Sequence, residues 1–129
     1  MKIMDMLVFT ENWLEALARR YRDYKRHTRP FVYFVATEDE FKQTRDQIEE
    51  WVSLLPENSR KKAIASLQTE AGFQQTYHEL AVGGILRGLG LRTNYEMDFN
   101  GQTPDWCVSA SGGSRFIVEV FTENISQAA

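Results

Sequence analysis

Three acids in this chain stand where acids are costly. Glu79 shares a helical pattern with Val82, Leu86 and Leu89, and spacings of three, seven and ten residues return it to one apolar stripe. Asp105 follows Pro104 in the stretch GQTPDW, at a strand entrance where the proline holds Thr103 extended. Glu119 interrupts FIVEVF, a run apolar on both sides that reads as a central strand. A buried carboxylate needs a partner or a purpose. A helix packed across adjacent antiparallel strands would bring the three together at one sheet edge. There like charges repel unless a divalent cation lies between them. Ligation by oxygen alone favours Mg²⁺ or Mn²⁺ over zinc, and such an ion would activate water for phosphodiester hydrolysis.

Taken singly, each acid also has a plainer reading. Glu79 suits a helix acid paired with a neighbour such as Arg87, Asp105 a turn residue bonding local backbone amides, and Glu119 an edge-strand acid facing water. His78 adjoins Glu79, but consecutive helix positions point about 100° apart, so the two do not share a direction. Trp106 and Phe121 read as core residues, as does the single cysteine, Cys107.

The elements that must position these residues follow from periodicity. Trp13, Leu14, Leu17, Ala18 and Tyr21 mark a first helix, with Thr10 as its N-cap and Pro30 as its stop. Its second half is the most basic part of the chain: Arg19, Arg20, Arg22, Lys25, Arg26 and Arg29 accompany one acid, Asp23. That face is either solvated or in contact with phosphate. The run FVYFVA, residues 31–36, fits a strand or a buried helix start. Thr37 is the expected cap of a second helix that opens on Glu38-Asp39-Glu40, carries Phe41, Ile48, Trp51, Val52 and Leu55, and stops at Pro56. A third helix spans residues 57–68, with Arg60, Lys61 and Lys62 opposite Ala63, Ile64 and Leu67.

Residues 1–71 thus read as a helical subdomain and 72–129 as a second unit. In the latter a helix runs from Phe73 to about Leu89 and ends at Gly90, with Gly83, Gly84 and Gly88 allowing close packing on a sheet. Leu91–Met97 alternates as a half-buried strand, Asn100-Gly101 signals a hairpin turn, and residues 105–110 and 115–122 are further strands separated by Gly112-Gly113. The fold class is α+β, a helical region followed by a helix and a three-stranded antiparallel meander.

This order of motifs resembles the PD-(D/E)XK, or restriction-endonuclease-like, nuclease superfamily. The segments carrying the likeness are FQQTYHELAVGGILRGLGL, GQTPDW and RFIVEVFT, covering residues 73–122. The resemblance implies a core of helix, three antiparallel strands, crossover helix and fourth strand. It matches Glu79 to the helix acid of the first motif, Asp105 to the Pro-Asp motif and Glu119 to the acid of the third motif. It further implies Mg²⁺ or Mn²⁺ held by these acids and DNA as the substrate. On that reading the separate basic face from Arg19 to Arg29, with Arg60 to Lys62, would touch phosphate. Two departures stand against it. The family lysine belongs two residues after the third-motif acid, where this chain has Phe121, and Gln102 or Thr122 could offer only hydrogen bonds. No crossover helix or fourth strand follows Thr122, so the expected core is incomplete. Its bare sheet edge would accept a missing C-terminal segment or a second copy. A non-catalytic module of this fold, binding nucleic acid or a protein, is the alternative reading.

Composition narrows the setting. The chain has 129 residues, a net charge of −3 and 43% hydrophobic residues, which suits an ordinary folded protein without a global positive field. One cysteine excludes an intrachain disulfide and a multi-cysteine zinc site, and no apolar run approaches a membrane span or a secretory signal. The expectation is a cytoplasmic protein with no membrane partner.

Overall fold

A computed structural model describes residues 6–97 and 101–122. It is α+β and divides into two compact units, Met1–Thr76 and Tyr77–Ala129.

The first unit contains α1 (Glu11–Arg20), α2 (Phe31–Thr37), α3 (Lys42–Ser53), α4 (Glu57–Leu67) and the start of α5 (Glu70–Gly88). Thr10 caps α1 as expected, its hydroxyl accepting from Trp13 N–H at 3.2 Å. The helix ends at Arg20, well before Pro30, which instead precedes α2. A proline's fixed φ and missing N–H suit the position just outside a helix start. FVYFVA is therefore helical, with Val32, Val35 and Ala36 buried. Thr37 is not the cap of the following helix: it closes α2, its hydroxyl donating to Tyr33 O at 2.8 Å. A short 3₁₀ turn, Asp39–Phe41, then leads into α3. Arg45 secures this corner by donating to Val35 O at 2.8 Å and Glu38 O at 2.7 Å.

The core of the first unit gathers Leu17, Tyr21, Val35, Ile48, Val52 and Leu67. It also contains a charge. Glu49 is buried on α3, and its carboxylate accepts from three successive backbone amides, those of Leu7, Val8 and Phe9, at 2.9 to 3.2 Å. Gln68 donates to Val8 O at 2.8 Å, so the segment entering α1 is tied to both α3 and α4.

The second unit is the remainder of α5 with β1 (Arg92–Tyr95), β2 (Trp106–Ser109) and β3 (Arg115–Val118), an antiparallel sheet in the order β1-β2-β3. Tyr95, Trp106 and Val118 stand in one row across it. Trp106 is fully buried, and its indole six-membered ring lies where a Cβ on Gly83 would project. Gly83 therefore permits the close helix–sheet approach, whereas Gly88 faces open space.

The strands are shorter than their alternation suggests. Gly113, which closes the β2–β3 turn with its N–H donating to Ala110 O at 3.0 Å, has φ +85°, and Gly101 has φ +83°, while Asn100 of the anticipated Asn-Gly turn lies outside the described residues. β3 is an edge strand of the described sheet rather than a central one, and Glu119 lies just past its end. Apolar residues on both faces of a strand report burial only when another strand or layer covers them, and Phe116 and Ile117 remain exposed. No helix of the described residues is long and apolar enough to cross a membrane.

Candidate functional site

Glu79 is buried on α5 with 7% exposure. Its burial does not follow the anticipated stripe: Leu80 and Gly83 are buried beside it, whereas Val82 and Leu86 are half-exposed and Leu89 is 71% exposed. The helix approaches the sheet through the small Gly83 surface, which rotates the buried face away from Leu89. Tyr95 on β1 donates its hydroxyl to Glu79 Oε1 at 2.6 Å, a short bond of the kind made to charged acceptors. The Trp106 indole N–H donates to the Glu79 backbone carbonyl at 2.7 Å. The guanidinium of Arg87 lies 6.0 Å from the Trp106 ring centroid.

Burial pushes the Tyr95 phenol far above its ordinary value, and the hydrogen bond and negative charge of Glu79 act in the same direction, as does Glu96. Strict alternation along Leu91–Met97 would set Glu96 on the face opposite Tyr95. The structure sets it half-buried in a left-handed conformation, φ 49°, with its backbone N–H donating to Asp105 O at 3.0 Å. A strand that ends in a positive φ no longer alternates, which is why the pattern missed it.

Asp105 is half-buried, and its Oδ2 accepts from Val120 N–H at 2.7 Å. Continuing the β2–β3 register past its last pair sets Val120 opposite Pro104. The Asp105 side chain thus extends the ladder at the point where the proline enters the sheet. This bond also sets Asp105 against the peptide that follows Glu119. Glu119 itself is exposed. Phe121, at the position of the expected lysine, is 91% exposed and is not a core residue. Trp106 and Cys107 are buried as anticipated. His78 is half-buried, with Nδ1 2.9 Å from the Thr122 hydroxyl.

The three sequence-identified acids thus lie on neighbouring parts of one unit, Glu79 on α5, Asp105 just before β2 and Glu119 just after β3. Among the described residues no three His, Cys, Asp or Glu side chains form a group that could hold a metal ion.

In the first unit the basic stretch is partly committed to the fold. Arg29 donates to Tyr24 O at 3.2 Å and to the Tyr33 hydroxyl at 2.9 Å, and it stacks 4.7 Å from the Tyr33 ring centroid. Arg26 pairs with Glu38 at 2.6 Å and lies over Phe34, and Arg20 lies over Tyr21. Arg19, Arg22 and Lys25 are exposed and make no ion pair among the described residues. Arg60 donates to Leu55 O at 3.2 Å, and Lys61 pairs with Glu57 at 3.5 Å. An open depression of about 560 Å³ is lined by Arg26, His27, Phe31, Phe34, Glu40 and Phe41.

The comparisons with protein-family models, curated proteins and solved structures return no match to this chain.

Proposed function

We propose that the chain carries a degenerate nuclease-like unit, and that it holds DNA through phosphate contacts without cleaving it. The observation that carries this reading is the 2.6 Å bond from Tyr95 to Glu79: the helix acid of the motif series is engaged in holding α5 on the sheet. Asp105 likewise completes the ladder at Val120, and Phe121 stands where a lysine would orient water. Among the described residues no three His, Cys, Asp or Glu side chains are grouped as a divalent-cation site requires, which supports a reading without a resident Mg²⁺ or Mn²⁺. The chemistry left to the chain is electrostatic. Arg19, Arg22 and Lys25 would contact phosphates, a sequence-independent interaction weakened by salt.

A second reading, metal-dependent phosphodiester hydrolysis with Glu79, Asp105 and Glu119 as ligands, is favoured by the Asp105–Val120 bond, which brings the Pro-Asp motif beside Glu119. Incubating the full chain with supercoiled plasmid and Mg²⁺ or Mn²⁺, beside Asp105→Ala and Glu119→Ala, separates the two. Plasmid bound but not nicked supports the first. Nicking by the wild type that both substitutions abolish establishes the second.

A further inference from the structure

The edge of β3 is self-complementary. We propose that it pairs antiparallel with β3 of a second copy across a twofold axis centred on Ile117, joining two three-stranded sheets into one.

The backbone determines which residues face outward. Ala110 N–H donates to Ser114 O at 2.9 Å, so these residues form a hydrogen-bonded pair at the β2–β3 turn. Such pairs alternate along an antiparallel ladder. In the observed register, Val108–Phe116 and Trp106–Val118 are then the next bonded pairs. Arg115, Ile117 and, one step past the strand, Glu119 therefore aim their N–H and C=O groups away from β2, at the edge that no other described strand pairs. The Val120–Asp105 bond has the same parity: Val120 N–H points inward.

A second β3 must match outward residues to outward residues, which leaves a short series of registers. Centring on Arg115 places arginine opposite arginine, and centring on Glu119 places glutamate opposite glutamate; like charges directly opposite are unfavourable. Centring on Phe116 leaves Glu119 opposite Gly113, and centring on Val118 sets Glu119 opposite Ile117. Centring on Ile117 alone sets Arg115 opposite Glu119 twice, Phe116 opposite Val118 twice, and Ile117 opposite itself. Phe121 then faces Gly113, which has no side chain to obstruct it.

The surface has the corresponding character. Phe116 is 43% and Ile117 45% exposed, and neither Arg115 nor Glu119 has an ion pair among the described residues. An apolar edge strand that no other described strand pairs is a template for strand addition, and the charges at its two ends select the partner and the register.

The test is sedimentation equilibrium of the full chain, with circular dichroism confirming that each variant is folded. The wild type is expected to dimerise. Arg115→Glu, which sets two glutamates opposite one another at both ends, should weaken the dimer about tenfold. Combining Arg115→Glu with Glu119→Arg restores opposite charges and should restore dimerisation. A wild type that stays monomeric at high concentration overturns the proposal. So does a dimer insensitive to Arg115→Glu, or a double variant no tighter than the single one. None of these readouts depends on DNA binding or cleavage.

Discussion

Replacing Tyr95 with Phe removes one oxygen and leaves the rest of the side chain in place, so it probes the bond to Glu79 directly. Hydrogen bonds to charged groups contribute about 1.5–3 kcal/mol, and leaving a buried acceptor without its donor costs the corresponding desolvation. At 2.6 Å and with Glu79 buried, Tyr95→Phe should destabilise the chain by about 2 kcal/mol. Glu79→Gln keeps an acceptor for the phenol and should cost less, about 1 kcal/mol. In a double-mutant cycle followed by urea unfolding, the coupling should be about 1–2 kcal/mol, above the roughly 0.3–0.5 kcal/mol within which independent sites add. The opposite pattern would refute the reasoning. An acid held for a cation among like charges is relieved by neutralisation, so a Glu79→Gln chain more stable than the wild type, with no coupling to Tyr95, would mean that the acid does not serve the fold.

Other expectations follow from the same structure. Gly83→Ala should destabilise by about 1–3 kcal/mol because its methyl meets the Trp106 ring, despite the gain of about 1 kcal/mol in helix propensity. Gly88→Ala, which meets nothing, should stabilise by about 0.5–1 kcal/mol, and thermal unfolding of the pair checks both. Glu49→Ala strands three backbone amides and should cost about 3 kcal/mol by urea unfolding, with Glu49→Gln intermediate. Tyr95 and Tyr21 both titrate above the ordinary value of 10, so their contribution is complete below pH 10 and is lost as pH rises beyond it. Stability measured between pH 9 and 11 should fall at the alkaline end, and less steeply in Tyr95→Phe. Substituting Arg19, Arg22 and Lys25 together by Gln should weaken DNA binding and flatten the log–log salt dependence by about 2–3 units, read by fluorescence anisotropy.

The sequence carried the element order well where local signals were strong. The Thr10 cap, Pro56 ahead of α4, Gly90 after α5 and the Gly112-Gly113 turn all act through backbone conformations that few residues supply. FVYFVA could not be assigned, because a short apolar run satisfies strand and helix alike until the fixed φ of Pro30 is seen to start a helix. For Glu119 the water-facing edge reading holds and the central-strand one does not, and Phe121 is not core, for a different reason. An apolar run says that a strand would accept cover on both faces, while cover depends on what lies beside it. Glu79 was found as a buried acid, but Tyr95 as its donor was not, since no local pattern links a helix position to the end of the following strand. Glu49 was legible in principle: it sits between Ile48 and Val52 on the stripe that α3 buries. Its partners, three amides of a segment some forty residues earlier, were not.

The most direct test uses supercoiled plasmid, Mn²⁺ and the full chain, with each reaction resolved on agarose before and after the protein is stripped with detergent. If Glu79 and Asp105 serve the fold and the basic stretch serves DNA, the plasmid migrates as a retarded complex and is recovered fully supercoiled. Recovery of open-circular DNA from the wild type, absent with Glu119→Ala and Asp105→Ala, would contradict that conclusion.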